Sequence, residues 1–497
     1  MTDTSSYKNI FKTTFLFGFV KVFNIIVKVG LNKVAALVLG PSGIGIIGMF
    51  NTTILTVVNF ASLGINQSAI RDISEARGQG DATHCDISIS MVTKVVRFTG
   101  LFGALIMVLG SSVISKYTFG NYSFTLSYAL LGIAVWAQII SNGQIAVLTG
   151  MRRLKQLATC SMISAVVGMA AGIPFYIFLK DNGIVPSLIV SSLSMTLVSW
   201  IYIKKIGYKK ISMTIQEMWK RSSLMVKMGI ALMLQAMMLQ TCNFILAAYV
   251  SNYAGLDILG YYQAGLTIIT GYFGIILTSL STEYYPRLAS INNDVTAMND
   301  AVNAQSEMGM IMAFPLVLLF VFLSSFFFRF LYSSDFIDGT YYVDWAVMGT
   351  VSIIASNSIG LVLIVKQKTK ELLIASIILD IVILVTNILF FNLWGLIGLG
   401  LGYFVSGLLQ FIVNNEMTKY YFNIRFNKLV ISIWIFILLA IITMNIIKAV
   451  NIEWVRNSVS ILMICIATII SFIYLQRKTG FKFSLLINKL KRHNKDE

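Results

Sequence analysis

Charged residues are scarce in this sequence. Asp, Glu, Lys and Arg make up 12% of its 497 residues, and 57% of the residues are hydrophobic. A soluble domain carries about 25% charged residues, so a water-soluble fold could not cover this much apolar surface. Disordered segments combine low hydrophobicity with high charge, which is the opposite composition. Soluble enzymes and disordered proteins are therefore excluded.

Cysteine and histidine are also rare. The chain has four Cys and two His, and it has no C-x-x-C pair. This composition argues against a disulfide framework and against a zinc site. The sequence also lacks a Walker-type G-x-x-x-x-G-K-[ST] motif, and so few His leave no Ser-His-Asp cluster for catalysis. We therefore expect a protein that is not an enzyme, binds no metal and needs no cofactor.

Long apolar runs fill most of the chain. A transmembrane helix needs about 20 mostly apolar residues, and continuous rather than alternating runs favour helices over a β-barrel. We therefore predict an all-α integral membrane protein with about 14 transmembrane helices. The predicted spans are approximately 11–39, 43–70, 88–115, 124–149, 157–179, 186–203, 223–250, 258–283, 307–331, 342–365, 372–391, 395–415, 429–447 and 457–475.

Basic residues are concentrated in alternate connections between the spans. If the N-terminus is cytoplasmic, the inside segments hold 26 of the 38 Lys and Arg, whereas the outside loops hold four. Short cytoplasmic loops of membrane proteins carry such an excess, so both termini are predicted to be cytoplasmic. Most of the net charge of +17 follows from this topology, and we expect no nucleic-acid partner.

A glycine-containing turn recurs at an offset of 215 residues. Gly40-Pro41-Ser42-Gly43 joins the first two spans, and Gly255-Leu256-Asp257-Ile258 joins spans seven and eight. Six spans separate the two copies, so both have the same orientation, as in transporters built from parallel repeats. We predict two pseudo-symmetric six-helix lobes, at 1–221 and 222–415, and a C-terminal part, 416–497, with two further spans and a basic amphipathic tail.

The ionisable residues inside the spans are distributed unequally. The predicted spans of the first half contain six cations and no acid, whereas those of the second half contain two cations and four acids. Such residues are costly in a membrane and usually face a cavity, water or a partner. A large anion would relieve the repulsion among the cations of the first half.

The anion-binding candidates therefore come mainly from the first half. They are Lys21, Asn24 and Lys28, which share a face of span one, Lys94 and Arg97, which share a face of span three, and Lys227 in span seven. Arg can bind phosphate bidentately and Lys supplies a point charge, so a phosphate or pyrophosphate headgroup is the indicated ligand. The alternative is that each cation reaches the interface or pairs with an acid.

One carboxylate lies near the middle of a span. Asp380 is flanked by apolar residues in span eleven. Burial would make its protonation switchable, so we predict that it couples transport to a proton or sodium gradient. A structural partner for a lysine, or an Asp that stays protonated, is the alternative.

Two hairpins resemble those of polysaccharide flippases in the MOP transporter superfamily. Residues 33–45, around Gly40-Pro41-Ser42-Gly43, resemble the first hairpin of that family. Residues 260–264 and 279–288 resemble the second-half hairpin of its Wzx branch, which includes O-antigen and enterobacterial common antigen translocases. The resemblance covers nearly the whole chain in layout, but its motifs mark the family well and the substrate poorly.

The resemblance implies a transporter that flips undecaprenyl-pyrophosphate-linked oligosaccharide, such as an O-antigen repeat unit, across a bacterial inner membrane by alternating access. Membrane lipids and a polysaccharide polymerase are the further partners that it suggests. The alternatives are a lipid II flippase and a cation-coupled drug or metabolite antiporter of the same fold. A membrane glycosyltransferase or ligase is disfavoured, because the longest predicted outer loops have about ten residues.

Overall fold

The computed structural model describes residues 4–62, 64–209, 211, 215–274, 284–285, 287–366 and 368–479. It describes their side chains from residue 19 onward, except at 67, 215–232, 272–273, 369 and 479. The regular structure of these ranges is helical, and they contain no β-strand. The protein is therefore an all-α membrane protein, as its apolar runs predict.

Thirteen α-helices follow one another in the described ranges. They are α1 (Thr4–Ala61), α2 (Ile65–Gly78), α3 (Ala82–Phe119), α4 (Thr125–Gly150), α5 (Leu154–Leu179), α6 (Ile184–Lys204), α7 (Ile215–Ala254), α8 (Leu256–Thr267), α9 (Val295–Leu331), α10 (Thr340–Val365), α11 (Thr369–Phe422), α12 (Lys428–Lys448) and α13 (Glu453–Thr479). A π-helical turn, Ile268–Phe273, continues α8.

Two of these helices are broken by a glycine. Gly40 has φ 67° and divides α1 into a first arm, 4–39, and a second arm, 41–61; Gly395 has φ 58° and divides α11 in the same way. Pro41 begins the second arm, where its missing N–H is harmless. Ten helices are long and apolar enough to span a membrane in the described part of the chain. With the arms, α5, α6 and α8 counted separately, the helices match the fourteen predicted spans.

The second predicted span ends earlier than its apolar run indicates. The run was expected to continue to residue 70, but Gly64 adopts φ 66° and ends it, and α2 begins at Ile65. Ala69, Ile73 and Ala76 are buried, whereas the charged residues around them are mostly exposed. This amphipathic pattern is typical of a helix that lies on a surface, and it places most of the predicted cytoplasmic segment in a helix.

The 215-residue repeat is visible in the backbone itself. Lys180 ends α5 with φ 50° and ψ −128°, and Gly395, 215 positions later, has φ 58° and ψ −132°. A Cβ atom on Gly183 would lie 2.1 Å from the Phe175 carbonyl oxygen, and one on Gly398 would lie 1.9 Å from the Phe390 carbonyl oxygen. Both of these pairs are also related by 215 residues. The two halves therefore repeat the same turn geometry, including a left-handed residue.

The chain forms two compact units. The first comprises residues 1–264, 329–337 and 376–384. Its core contains an aromatic cluster, in which the ring of Phe50 meets the rings of Tyr128, Phe119 and Phe124 edge-on at 5.1–5.9 Å. The Tyr128 hydroxyl shares a hydrogen bond with Thr118 Oγ1 at 2.9 Å, which satisfies the polar end of a fully buried side chain.

The second unit comprises residues 265–328, 338–375 and 385–497. In its core the Phe411 ring stacks between Trp434 at 4.6 Å and Phe426 at 4.7 Å, and Trp434 Nε1 donates to Ser352 Oγ at 3.0 Å. A Cβ atom on Gly407 would lie 2.5 Å from the Gly349 carbonyl oxygen. Such close backbone approach through small residues is typical of helix packing in membranes.

Candidate functional site: the polar face of the first helix

The first arm of α1 has two exposed faces of opposite character. Phe19 and Ile26 are 53% and 65% exposed on one face. Lys21 and Lys28 are exposed on the other, because Lys28 follows Phe19 by nine residues and so lies about 180° around the helix. An apolar exposed face suits lipid, whereas a lysine-bearing face requires water or a polar ligand.

Helix α5 holds the edge of this polar face in place. Asn24 Nδ2 donates to Ser161 Oγ at 2.6 Å, and Asn24 Oδ1 is buried without a hydrogen-bond partner among the described residues. One Leu31 methyl carbon lies 2.8 Å from the point that a Cβ atom on Gly172 would occupy. The Asn24 amide is thus positioned by α5, beside the two lysines.

The two lysines bring positive charge to this face along the helix axis. Lys21 and Lys28 are seven residues apart, which corresponds to about 10 Å along an α-helix. No ion pair of Lys28 occurs among the side chains that the structure describes. Two cations at this spacing on one hydrated face are suited to an extended anion, which can contact both ammonium groups.

Lys33 has a different role from these two lysines. Its Nζ donates to the Arg329 carbonyl oxygen at 2.6 Å. That carbonyl is in the last turn of α9, where carbonyl groups lack partners within the helix and a cation interacts favourably with the helix dipole. The structure therefore uses Lys33 to cap a helix.

The second predicted cation pair lies in other surroundings. Lys94 is half-buried and Arg97 is exposed on α3. Arg97 shares its side of the helix with Phe98 and Leu101, which are 47% and 61% exposed. This face mixes a cation with exposed apolar side chains, unlike the polar face of α1. The side chain of Lys227, in α7, lies outside the described residues.

Asp380 lies on α11 near a contact with α7. Gln235 Nε2 donates to Ser376 Oγ at 3.1 Å, and Ser376 and Asp380 are one turn apart on the same face. Asp380 is half-buried, and it forms no ion pair with any described side chain. The arrangement leaves a carboxylate within a membrane span next to a polar contact between two helices.

Two acids of the second half are paired with cations that the sequence pattern did not connect to them. Asp344, buried in α10, pairs with Lys448, which also donates to Ser324 Oγ at 2.6 Å. Glu307, 4% exposed in α9, accepts a hydrogen bond from the Tyr474 hydroxyl at 2.7 Å and lies 3.3 Å from Lys478 Nζ.

These pairs attach the last two helices, α12 and α13, to α9 and α10. The only signal for them in the sequence was a cation directly after each of these apolar runs. In the second unit, two of the acids counted in the spans therefore stabilise helix packing. No group of three or more His, Cys, Asp or Glu able to hold a metal ion occurs in the described part of the chain.

Comparison with solved structures identifies the fold. The lipid II flippase MurJ in an inward closed conformation matches 95% of this chain and 100% of its own, with a TM-score of 0.72 and 17% identity. An inward-facing multidrug resistance MATE family transporter of the MOP superfamily matches 80% of this chain and 95% of its own, with a TM-score of 0.63 and 13% identity.

A third structure is a MOP superfamily transporter from Pyrococcus furiosus, whose title describes a binding pocket of reverse polarity. It matches 82% of this chain and 95% of its own, with a TM-score of 0.54 and 15% identity. No curated protein sequence matches the chain. The protein thus has the fold of multi-pass MOP-superfamily transporters.

The family itself follows from a sequence model. The model described as polysaccharide biosynthesis protein matches residues 34–340, which is more than half of the chain. The chain belongs to this family of polysaccharide biosynthesis proteins, and it is a flippase or transporter of the MOP superfamily.

Proposed function

We propose that the protein flips undecaprenyl-pyrophosphate-linked oligosaccharide, an O-antigen or similar surface-polysaccharide repeat unit, from the cytoplasmic to the periplasmic leaflet of a bacterial inner membrane. It works by alternating access, and the pyrophosphate binds at Lys21 and Lys28. The observation that carries this proposal is the exposed lysine face of α1, which lies opposite an apolar exposed face. A polar ligand with several negative charges is the natural occupant of such a face.

The remaining candidates support this ligand in secondary positions. Asn24 offers an amide beside the lysines, and Lys94 and Arg97 on α3 bind phosphate oxygens as the lipid enters or leaves. Lys227 belongs to the same proposal, because it follows Lys12 by the 215-residue repeat. Membrane lipids surround the helices, and a polysaccharide polymerase takes up the flipped product. Both termini are on the cytoplasmic side.

A lipid II flippase is the second candidate, because the matching MurJ structure carries that name and covers nearly the whole chain. Its substrate also contains a lipid-linked pyrophosphate, so the α1 lysines do not separate the two. Family membership favours the polysaccharide substrate. A transporter for cationic drugs is disfavoured, because two exposed lysines on one face would repel them.

Complementation tests the substrate. The chain is expressed in strains that lack an O-antigen flippase, an enterobacterial common antigen flippase or a lipid II flippase, and the surface glycan or cell growth is measured. We expect rescue of a surface-glycan strain. Rescue of a drug-efflux mutant alone would contradict the proposal, and rescue of the lipid II strain alone would favour the second candidate.

Charge substitutions test the site. Lys21→Gln and Lys28→Gln are each expected to lower flipping at least about tenfold, since a hydrogen bond to a charged group contributes about 1.5 kcal/mol or more. Lys28→Arg keeps the charge and should retain most activity. Lys155→Gln, at an exposed position of the same unit, is the matched control. Unchanged flipping by the Lys21→Gln/Lys28→Gln double variant at normal expression would contradict the assignment.

We further propose that Asp380 couples flipping to a proton or sodium gradient. Its half-buried position beside the Gln235–Ser376 hydrogen bond makes a change in its charge felt by the contact between α7 and α11. Asp380→Asn should abolish the response of flipping to collapse of the proton or the sodium gradient, while Ser376→Ala should keep it. Persistence of the response in Asp380→Asn would contradict coupling at this residue.

A further inference from the structure

Two repeat-related glycines approach each other's helices in a reciprocal way. A Cβ atom on Gly45, in the second arm of α1, would lie 2.4 Å from the Leu256 carbonyl oxygen. A Cβ atom on Gly260, in α8, would lie 2.0 Å from the Pro41 carbonyl oxygen. Both Gly260 and Leu256 follow their counterparts, Gly45 and Pro41, by 215 residues. Each glycine therefore contacts the carbonyl group of the other's repeat equivalent.

Other contacts join equivalent residues to each other. Ser42 Oγ donates to Asp257 Oδ1 at 2.5 Å, and these residues are also 215 positions apart. A Cβ atom on Gly48 would lie 2.5 Å from Gln263 Cγ, again at the same offset. In a symmetric interface around a two-fold axis, residue i contacts j and j contacts i, while residues near the axis contact their own equivalents. The pattern here is that of a two-fold interface within one chain.

The contact lies at the turns that the charge distribution predicts to be outside the membrane. Gly40 and Gly255 begin these turns with φ 67° and 89°. Two neighbouring hydrogen bonds lie within the same compact unit: Lys33 Nζ to the Arg329 carbonyl oxygen at 2.6 Å, and Asn252 Nδ2 to the Tyr117 carbonyl oxygen at 2.7 Å. The first joins α1 to α9, and the second joins α7 to α3.

We infer that this two-fold contact is the outer gate of the transporter. Gly45 and Gly260 allow the two backbones to close, and the Ser42–Asp257 hydrogen bond holds the closed state. The inference rests on the proposed function, because alternating access requires the outer ends of α1 and α8 to separate when the lipid-linked substrate is released. The substrate headgroup is too large to pass while backbone atoms are in contact.

An accessibility measurement tests the gate without reference to the substrate. A single cysteine at Ser42, in a background with the four native cysteines replaced by Ser, is labelled with a membrane-impermeant maleimide in intact cells. Gly260→Ala and Gly45→Ala should raise the labelling rate by roughly 5- to 150-fold, the range that overpacking by one methyl group corresponds to at 25 °C. Gly110→Ala is the control, because only the Ile114 side chain lies within 4 Å of its Cβ position.

A cross-link tests whether the gate must open. Cysteines at Ser42 and Asp257 are oxidised with copper phenanthroline, and flipping is measured before and after reduction in a strain that the unmodified chain rescues. We expect flipping to stop on oxidation and to return on reduction. Full flipping in the cross-linked protein, or unchanged labelling in both Ala variants that remain monodisperse in detergent, would overturn the inference. If the chain rescues no glycan strain but labelling rises as expected, the gate is supported and the substrate proposal fails.

Discussion

Loss of Lys448 should be among the most destabilising single changes in the second unit. Its ammonium group pairs with Asp344, whose side chain is 12% exposed, and it also donates to Ser324 Oγ at 2.6 Å. The change Lys448→Met keeps the length of the side chain and removes the charge. Asp344 then remains as a buried carboxylate without a cation. Breaking a buried pair in this way typically costs about 3–5 kcal/mol.

A double substitution separates the cost of the unpaired charge from the cost of lost packing. Asp344→Asn with Lys448→Met removes both charges and keeps similar shapes, so its free energy of unfolding should lie within about 1–2 kcal/mol of the native value. Arg456→Ala is the matched control, because Arg456 lies 3.8 Å from Glu453, which is 79% exposed. Such a surface pair contributes about 1 kcal/mol or less.

The assay is unfolding by sodium dodecyl sulfate in mixed micelles, followed by intrinsic tryptophan fluorescence. The predicted order of stability places the native chain and Arg456→Ala together, the double variant slightly below them and Lys448→Met well below. A Lys448→Met variant as stable as Arg456→Ala would refute the reasoning, because it would mean that Asp344 does not depend on its cation.

Two further predictions concern helix ends and the attachment of α13. Tyr474→Phe removes the hydroxyl that donates to the buried Glu307 carboxylate at 2.7 Å, so the free energy of unfolding should fall by about 1.5–3 kcal/mol; a fall no larger than that of Arg456→Ala would contradict this. Lys180→Gly should stabilise the chain by about 1 kcal/mol, because Lys180 has φ 50° and glycine adopts this conformation without strain. Gly395→Ala, at the repeat-equivalent position with φ 58°, should destabilise it; opposite signs for the two changes would refute the argument. Both are measured by the same unfolding titration.

The number of spans and the repeat could be predicted from local patterns. Each apolar run is long enough to span a membrane, and the charges between the runs alternate. The turns at Gly40 and Gly255 are both written in the sequence with the same offset. The end of the second span could not be read in this way, because its apolar run continues past Gly64 into the amphipathic helix α2.

The candidate site was predictable only in part. The common face of Lys21 and Lys28 follows from the helical period alone. Hydropathy does not say whether a cation has a partner. Lys28 forms no ion pair with a described side chain, whereas Lys33 donates to a carbonyl group almost 300 residues away in the chain. Likewise, Asn24 lies on the lysine face by spacing, but its bond to Ser161 depends on the packing of α5 against α1.

Taken alone, the sequence determined that this is a helical membrane protein with fourteen spans, an internal repeat and a lysine-bearing face on its first helix. These features depend on composition and on the helical period, which are local properties of the chain. The tertiary structure decided which charges are paired and where backbones meet. The pairs Asp344–Lys448 and Glu307–Lys478 and the reciprocal contacts of Gly45 and Gly260 join residues that are 100 or more positions apart. Such contacts exist only because helix packing brings particular atoms within hydrogen-bonding or van der Waals distance.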